Sequence, residues 1–397
     1  MDEKEYIIPY SEFVQAYMDC RRKKRNKRSA LQYEHIWTWE LPSLCEEVNN
    51  KTYEIGTSIA FVVSKPKYRE VFAASFRDRI VHHLLCSKLE PLFEEYFIKD
   101  TYNCRIGKGT HFGIRRLNNY IEEVSRHYTR DCWVAKFDMQ GFFMSIHKPT
   151  LWKMLKRFIN ERYNGKDKEL VLWLTKKIAL HSPEKNCIMI MGDKAWKHLP
   201  ANKSLFHNGD EYGLPIGNLT SQMFANFYLT EFDIMMSGKF KSYGRYVDDF
   251  YIISHKKAKI LKSIPKIRAY LEKLQITLHP NKFYLQHYSK GISFVGGICK
   301  PGRIYICNRT IHNCELAIEA FNNNEINANT VRDFMPKINS YLGFMRHNNS
   351  YAIRRKLILG LDSRIWDYVY VSGHFDYLTI KKEYTEEWSL RHDLLLK

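Results

Sequence analysis

The residues best suited to chemistry in this sequence are three aspartates. Asp248 and Asp249 are adjacent in Tyr246-Val247-Asp248-Asp249, and the apolar Phe250-Tyr251-Ile252-Ile253 follows. An acid pair at a bend is, in most proteins, only a polar turn. Here the apolar flanks predict a stiff, buried hairpin, and two like charges held on it cost free energy unless a cation binds. Asp138 closes another apolar run, Trp133-Val134-Ala135-Lys136-Phe137. Adjacent strands of one sheet would bring the three carboxylates together. Such oxygen ligands suit Mg²⁺, with Mn²⁺ as a substitute. Two ions held this way serve an in-line phosphoryl displacement, such as the joining of a nucleotide to a 3′-hydroxyl.

Rigid elements must position those acids. Trp133 to Phe137 predicts a strand that delivers Asp138 at its end. Ser242 to Tyr246 and Phe250 to Ser254 predict a hairpin with Val247-Asp248-Asp249 at the bend. Ala60 to Ser64 reads as a further strand, followed by the basic Lys65-Pro66-Lys67-Tyr68-Arg69. From Arg79 to Phe97 the apolar residues (Ile80, Leu84, Leu85, Leu89, Leu92, Phe93) recur at helical spacing, and Tyr102 to Thr110 is irregular. Pro149 and Thr150 open a helix running through Leu155 and Phe158. Ser182 to Tyr212 reads as loop-rich, Gly213 to Gly217 as a turn, and the next segment as one helix carrying Met223, Phe224, Phe227, Tyr228 and Phe232. A helix near Ala258 to Leu274 leads to a strand-rich stretch, Gly291 to Ile306. The chain beyond Asn313 is mostly helical and basic, with Arg346, Arg354, Arg355 and Lys356.

Composition narrows the partner. The chain has 397 residues, enough for two or three packed subdomains, and its 45% hydrophobic content separates it from disordered chains. Lysine plus arginine number 62 against 43 acidic residues, and the resulting net charge of +19 favours a polyanion. The basic run Arg21-Arg22-Lys23-Lys24-Arg25-Asn26-Lys27-Arg28 reads either as a solvated face or as a nucleic-acid contact. Nine cysteines, with no C-x-x-C and no tight Cys/His cluster, predict buried thiols in a reducing cytosol and neither disulfides nor zinc. An acidic start without the core of a signal peptide, and no apolar run of membrane-spanning length, predict a soluble cytoplasmic protein with no membrane partner.

The combination of motifs resembles reverse transcriptases. Tyr246-Val247-Asp248-Asp249 is similar to the family's catalytic motif, and Phe137-Asp138-Met139-Gln140-Gly141-Phe142-Phe143 to its other metal-binding motif. Arg69-Glu70-Val71, Asp78-Arg79-Ile80-Val81-His82 and Leu89-Glu90-Pro91-Leu92-Phe93 resemble the segment that precedes them. The resemblance runs from about Lys65 to Tyr305. It implies an α+β right hand: a basic extension at 1–50, fingers at 51–130, an antiparallel-sheet palm at 131–308 with an insertion about 160–212, and a helical thumb and tail at 309–397. It also implies that Asp138, Asp248 and Asp249 hold two Mg²⁺ ions, with the Met139 carbonyl as an extra ligand. Phe143 matches the aromatic that rejects a 2′-hydroxyl, although Phe142 is equally placed in sequence to be either that ring or a core one. Arg69, with Lys65 or Lys67, matches the cations that grip the triphosphate. Lys282, in Leu278-His279-Pro280-Asn281-Lys282, matches a lysine near the pyrophosphate. Phe294-Val295-Gly296-Gly297 resembles the primer grip, with contacts at Phe294, Gly296 and Gly297.

The glycine loop narrows the resemblance. Where most of the family has Gln-Gly and closes on Ser-Pro, this chain has Ile216-Gly217 and Ser221-Gln222. With Cys104-Arg105-Ile106-Gly107-Lys108-Gly109-Thr110-His111 and Lys203-Ser204-Leu205-Phe206-His207, it is similar to the enzymes of diversity-generating retroelements. Those copy a template RNA into error-bearing cDNA from dNTPs and work with an accessory protein. His147 and Val295-Gly296-Gly297 depart from that pattern and leave open a neighbouring defence-associated lineage that copies a structured non-coding RNA. A silent, maturase-like RNA binder is disfavoured, because three clustered acids beside a polyanion would repel it without metal.

Overall fold

The computed structural model describes residues 7–64, 67–190 and 193–384. They form two compact units. The first contains the described residues up to Gly109, with Ala135–Ile252 and Ala258–Tyr284; the second contains Thr110–Val134, Ile253–Lys257 and the described residues from Leu285 onward.

Helices α1 (Tyr10–Arg21), α2 (Arg28–Glu34) and α3 (Trp37–Asn49) open the chain. Phe13, Ala16, Tyr17 and Cys20 fall on one buried face of α1, the three-to-four spacing of an amphipathic helix. Strands β1 (Ser58–Val63) and β2 (Arg69–Ala73) pair antiparallel, with Val62 opposite Glu70. The long α4 (Phe76–Tyr96) is capped by Ser75, whose Oγ accepts the Asp78 N–H at 3.1 Å. Next come α5 (Thr110–Val124), β3 (Trp133–Asp138), α6 (Phe142–Ser145), α7 (Lys148–Arg162) and α8 (Lys168–Ala179). The segment expected to be loop-rich also carries β4 (Cys187–Met189), which adds to β1 in parallel and gives a sheet in the order β2-β1-β4, and α9 (Asp193–Lys197).

The expected single helix after the glycine turn is two: α10 (Leu219–Tyr228) and α11 (Thr230–Lys239), so Phe232 sits on the second. Leu229, fully buried and outside helical geometry at φ −98° and ψ 2°, divides them, and no glycine or proline announces the break. Strands β5 (Tyr243–Tyr246) and β6 (Asp249–Ser254) form the hairpin, followed by α12 (Lys257–Lys273) and β7 (Tyr284–His287). The sheet order β5-β6-β3-β7 places β6 beside β3. The next strands, β8 (Ile292–Phe294), β9 (Gly297–Lys300) and β10 (Arg303–Ile306), make a meander.

The helices expected at the end of the chain are α13 (Asn308–Asn322), α14 (Ala328–Met345) and α15 (Tyr351–Leu359), and a hairpin of β11 (Val369–Ser372) and β12 (Tyr377–Ile380) follows them. Cys314, Phe321, Val331, Phe334, Ile338, Leu342, Ile358, Val369 and Leu378 share one core there. The α+β class read from the sequence is borne out. The tail beyond residue 384 lies outside the described residues. Cys20, Cys45, Cys86, Cys132, Cys299 and Cys314 are buried free thiols, whereas Cys104 is exposed. No helix among the described residues is long and apolar enough to cross a membrane.

Candidate active site

Asp138 ends β3, and Asp248 and Asp249 sit at the tip of the β5–β6 hairpin. The register pairs Tyr246 with Asp249, so the bend is Val247-Asp248 and Asp249 already opens β6, one residue tighter than the sequence suggested. The Met139 N–H donates to the Asp248 carbonyl at 3.2 Å, binding the end of β3 to the hairpin tip. The Met139 side chain is buried.

Crowding shows in the acidities. Burial, then the charges of Asp248 and Asp138 and a hydrogen bond shared with Asp138, push the Asp249 carboxyl up to about 7. Burial also raises Asp248, with Asp138 adding to it and Lys282 and Arg69 opposing it. The Lys282 Nζ donates to Asp138 Oδ2 at 2.6 Å. Burial works to lower the Lys282 pKa, but Asp138, with Asp248 and Asp249 behind it, holds it above its ordinary value. Among the described residues no three His, Cys, Asp or Glu side chains converge on one point. The donor chemistry nevertheless fits a divalent cation: the ligands are hard carboxylate oxygens, and their mutual repulsion favours the binding of a positive charge between them.

Several predicted nucleotide contacts gather around one small cluster. Phe143 and Ile216 both pack on Ala60, Phe72, Met144 and Leu205. Phe142 is 3% exposed whereas Phe143 is only half-buried, so Phe143 is the ring with a free face. The Leu214 N–H donates to the Phe143 carbonyl at 2.9 Å and the Phe72 N–H to the Ile216 carbonyl at 2.8 Å, so the glycine loop is stitched to both. Gly217 has φ +124° and lies against β2, where a Cβ would stand 2.8 Å from the Phe72 carbonyl oxygen. Gln222 is engaged by Cys104, whose Sγ donates to its Oε1 at 2.8 Å. The nearby α10 is tied to α4 by a 2.6 Å bond between Thr220 Oγ1 and His82 Nδ1. Burial lowers that imidazole to about 4, so it is neutral.

Arg69 and Lys67 are exposed, and the charge of Arg69 acts on Asp248. Lys65 lies outside the described residues. Sequence reasoning assigned no role to Glu70, which is 1% exposed and accepts from Ser204 Oγ at 2.6 Å and from the Leu205 N–H at 2.8 Å. It fastens the Lys203-Ser204-Leu205 segment to β2. Also missed were Arg245 and Asp233, a fully buried ion pair behind the hairpin. A cation inside the otherwise uncharged strand Tyr243-Gly244-Arg245-Tyr246 was the available signal, since it demands a buried acid.

In the second unit, Phe294 pairs with Gly297 across a two-residue turn, Val295 and Gly296, both at positive φ (38° and 96°). Phe294 is buried, and a Cβ on Gly296 would lie 2.8 Å from the Phe344 ring. In the basic run, Arg21 is paired with Glu34 and Arg22 with Asp19, while Lys23, Lys24 and Arg25 are exposed.

Residues 62–299 match the family described as reverse transcriptase (RNA-dependent DNA polymerase). Protein YkfC of Escherichia coli (strain K12) is 25% identical and is covered over 63% of its length by 59% of this chain. Among solved structures, telomerase from Candida albicans in complex with a fragment of telomeric RNA is similar at 11% identity with a TM-score of 0.45, over 77% of this chain and 54% of that one. Apo telomerase from Candida tropicalis is similar at 12% identity and 0.47, over 82% and 63%. The chain thus spans less than two thirds of the length of each of these relatives.

Proposed function

The chain belongs to the reverse-transcriptase family, and on that premise we propose that it is an RNA-directed DNA polymerase working at Asp138, Asp248 and Asp249. The observation that carries this reading is the placement of the acids: β6 lies beside β3, and the Met139 N–H bonded to the Asp248 carbonyl ties the end of the strand that carries Asp138 to the hairpin tip that carries Asp248 and Asp249. In the reaction, the 3′-hydroxyl oxygen of the growing strand attacks the α-phosphorus of a dNTP. The bond to the β-phosphate oxygen breaks, and pyrophosphate leaves. Two Mg²⁺ ions, or Mn²⁺ in their place, would be held by Asp138, Asp248 and Asp249, and when bound they supply charge neutralisation at the attacking and leaving oxygens.

The chain's own residues do the rest. Arg69, whose charge acts on Asp248, binds the triphosphate with Lys67. The free face of Phe143 lies against the sugar and excludes a 2′-hydroxyl, while Ile216 and Gly217 wall the nascent pair beside it. Lys282, within reach of Asp138, offers the proton for departing pyrophosphate. Phe294, Gly296 and Gly297 shape the primer grip. In domain terms, 51–130 are fingers, 131–308 palm and the chain from 309 thumb.

The test is DNA synthesis on an RNA template with a DNA primer and Mg²⁺. Asp248→Asn is expected to lose about 10³-fold or more while folding normally. Incorporation within tenfold of the wild type, or a wild-type protein that makes no DNA, refutes the assignment.

More narrowly, the enzyme copies a dedicated template RNA for a diversity-generating retroelement with an accessory protein, as supported by Ile216-Gly217 and Ser221-Gln222. The second reading is a defence-associated enzyme that copies a non-coding RNA, and the departures at His147 and Val295-Gly296-Gly297 favour it. A pair of imperfect repeats beside the gene, differing at adenines, decides for the first, and their absence for the second.

A further inference from the structure

The peptide that presents the acids is strained, and a buried polar network holds it. Val247 has φ +57°, a left-handed conformation that a β-branched residue seldom adopts. Both of its backbone polar groups are taken. The Val247 N–H donates to Asn103 Oδ1 at 2.9 Å, and its carbonyl accepts from Arg245 Nη1 at 2.9 Å. On the far side, the Asp248 carbonyl accepts from the Met139 N–H. The strained turn is therefore gripped at three successive points.

Behind it, Arg245 is 0% exposed and Asp233 1%. Arg245 Nε donates to Asp233 Oδ1 at 2.8 Å and Nη2 to Oδ2 at 2.6 Å, a bidentate pair. The same carboxylate accepts from Tyr243 Oη at 2.5 Å and from Thr101 Oγ1 at 3.1 Å, so both its oxygens are doubly satisfied. Asn226 Nδ2 holds the Asn103 carbonyl at 2.9 Å, closing the circuit. A buried ion pair is weak as a source of stability, because its desolvation offsets its attraction. What it supplies is direction. A guanidinium locked on two carboxylate oxygens has its remaining N–H groups aimed at fixed places, and here these are the Val247 carbonyl at 2.9 Å and, more loosely, the Asn226 side-chain oxygen at 3.4 Å and carbonyl at 3.3 Å.

We infer that Arg245, Asp233, Asn103 and Asn226 are positioning residues that hold the left-handed peptide at Val247 and thereby fix where Asp248 and Asp249 stand relative to Asp138. The inference rests on the polymerase reading above for its kinetic consequence, and on the geometry alone for its effect on the acids. Glycine or asparagine at 247 would reach the same φ without help; valine needs the grip.

The test uses the full chain with two lesions. Asn103→Ala removes the acceptor of the Val247 N–H and leaves the ion pair. The double variant Arg245→Met with Asp233→Leu removes the other grip without stranding a buried charge. Two readouts apply: Mn²⁺ binding without nucleotide, followed by loss of the free-ion EPR signal, and steady-state incorporation of dNTP. The expected result for each folded variant is Mn²⁺ affinity weakened about tenfold and kcat lowered about ten- to a hundred-fold, with KM for dNTP within threefold. Melting temperatures are measured alongside, since a purely structural role would lower them and leave Mn²⁺ affinity and kcat of the folded fraction untouched. That outcome overturns the inference. Should the double variant not fold, Asn103→Ala decides alone, with Asn103→Ser, which restores a shorter acceptor, expected to recover part of the loss. Failure of the wild type to make DNA would sink the polymerase reading, and the Mn²⁺ comparison would still judge the grip.

Discussion

Replacing Gly217 by alanine should loosen the wall beside the acids, by an amount the local geometry sets. At φ +124° a side chain is strained whatever the space, and the new Cβ would meet the Phe72 carbonyl oxygen at 2.8 Å and Val71 Cγ1 at 2.9 Å. The first obstacle is backbone and cannot rotate away. Conformational strain of this kind costs about 1–3 kcal/mol. Moving β2 aside also weakens the Phe72 N–H to Ile216 carbonyl bond, worth about 1 kcal/mol. The sum, about 2–4 kcal/mol, corresponds to a melting temperature lowered by about 4–8 °C, at about 2 °C per kcal/mol for a chain of this size. Because Ile216 packs on the same cluster as Phe143, the free face should shift too, and KM for dNTP should rise about fivefold for each kcal/mol by which nucleotide binding weakens. Gly238→Ala is the control: the site is exposed on α11, nothing lies within 4 Å of its Cβ, and stability should rise by about 0.5–1 kcal/mol. Thermal unfolding and steady-state incorporation on one primer–template measure both. A Gly217→Ala protein with wild-type melting temperature and wild-type KM would refute the reasoning.

Phe143→Ala should admit ribonucleotides by opening space beside the sugar, and unchanged discrimination in a soluble, active variant would move Phe143 into the core. Changing Lys23, Lys24 and Arg25 to Gln should flatten the salt dependence of RNA binding by about one unit of slope for each phosphate no longer neutralised, and an unaltered slope would make this run a solvated face. Ile216→Gln should lower misincorporation several-fold without abolishing synthesis, since an amide able to hydrogen-bond replaces a purely apolar wall, and a restraint of about 1 kcal/mol is several-fold in selectivity. Sequencing cDNA from one template checks it, and equal error rates at every template base would remove Ile216 from the argument.

The elements easiest to read were those whose period is dictated by one buried face. Trp133–Asp138 and the β5–β6 hairpin were legible because apolar runs flank acids that have no other reason to be there. By contrast, β4 is three residues long, and its partner β1 lies more than a hundred positions upstream, so no local pattern distinguishes it from the loop around it. The break at Leu229 is equally silent. Thr230 bonds back to the Asn226 carbonyl at 3.2 Å, Asn226 is held by Asn103, and the interruption belongs to that long-range packing instead of to any breaker residue.

The candidate site divides along the same line. The acids could be found because their chemistry is expensive to bury and cheap to recognise by type. The groups that aim them carry no such mark: Asn103 sits in an irregular stretch, Asp233 in the first turn of a helix, where an acid is ordinary, and Arg245 one residue before a motif that draws the eye past it. Their distinction is entirely geometric, since each contributes polar atoms to one network that links Thr101 to Arg245. The sequence does hold one clue to it. A strand that reads Tyr243-Gly244-Arg245-Tyr246 and is followed by Val247, not glycine, at a tight bend combines a charge that must be buried with a residue that resists the turn. Either feature alone would be a defect in a well-packed hairpin. Together they describe a turn whose strain is borne by the charge beneath it.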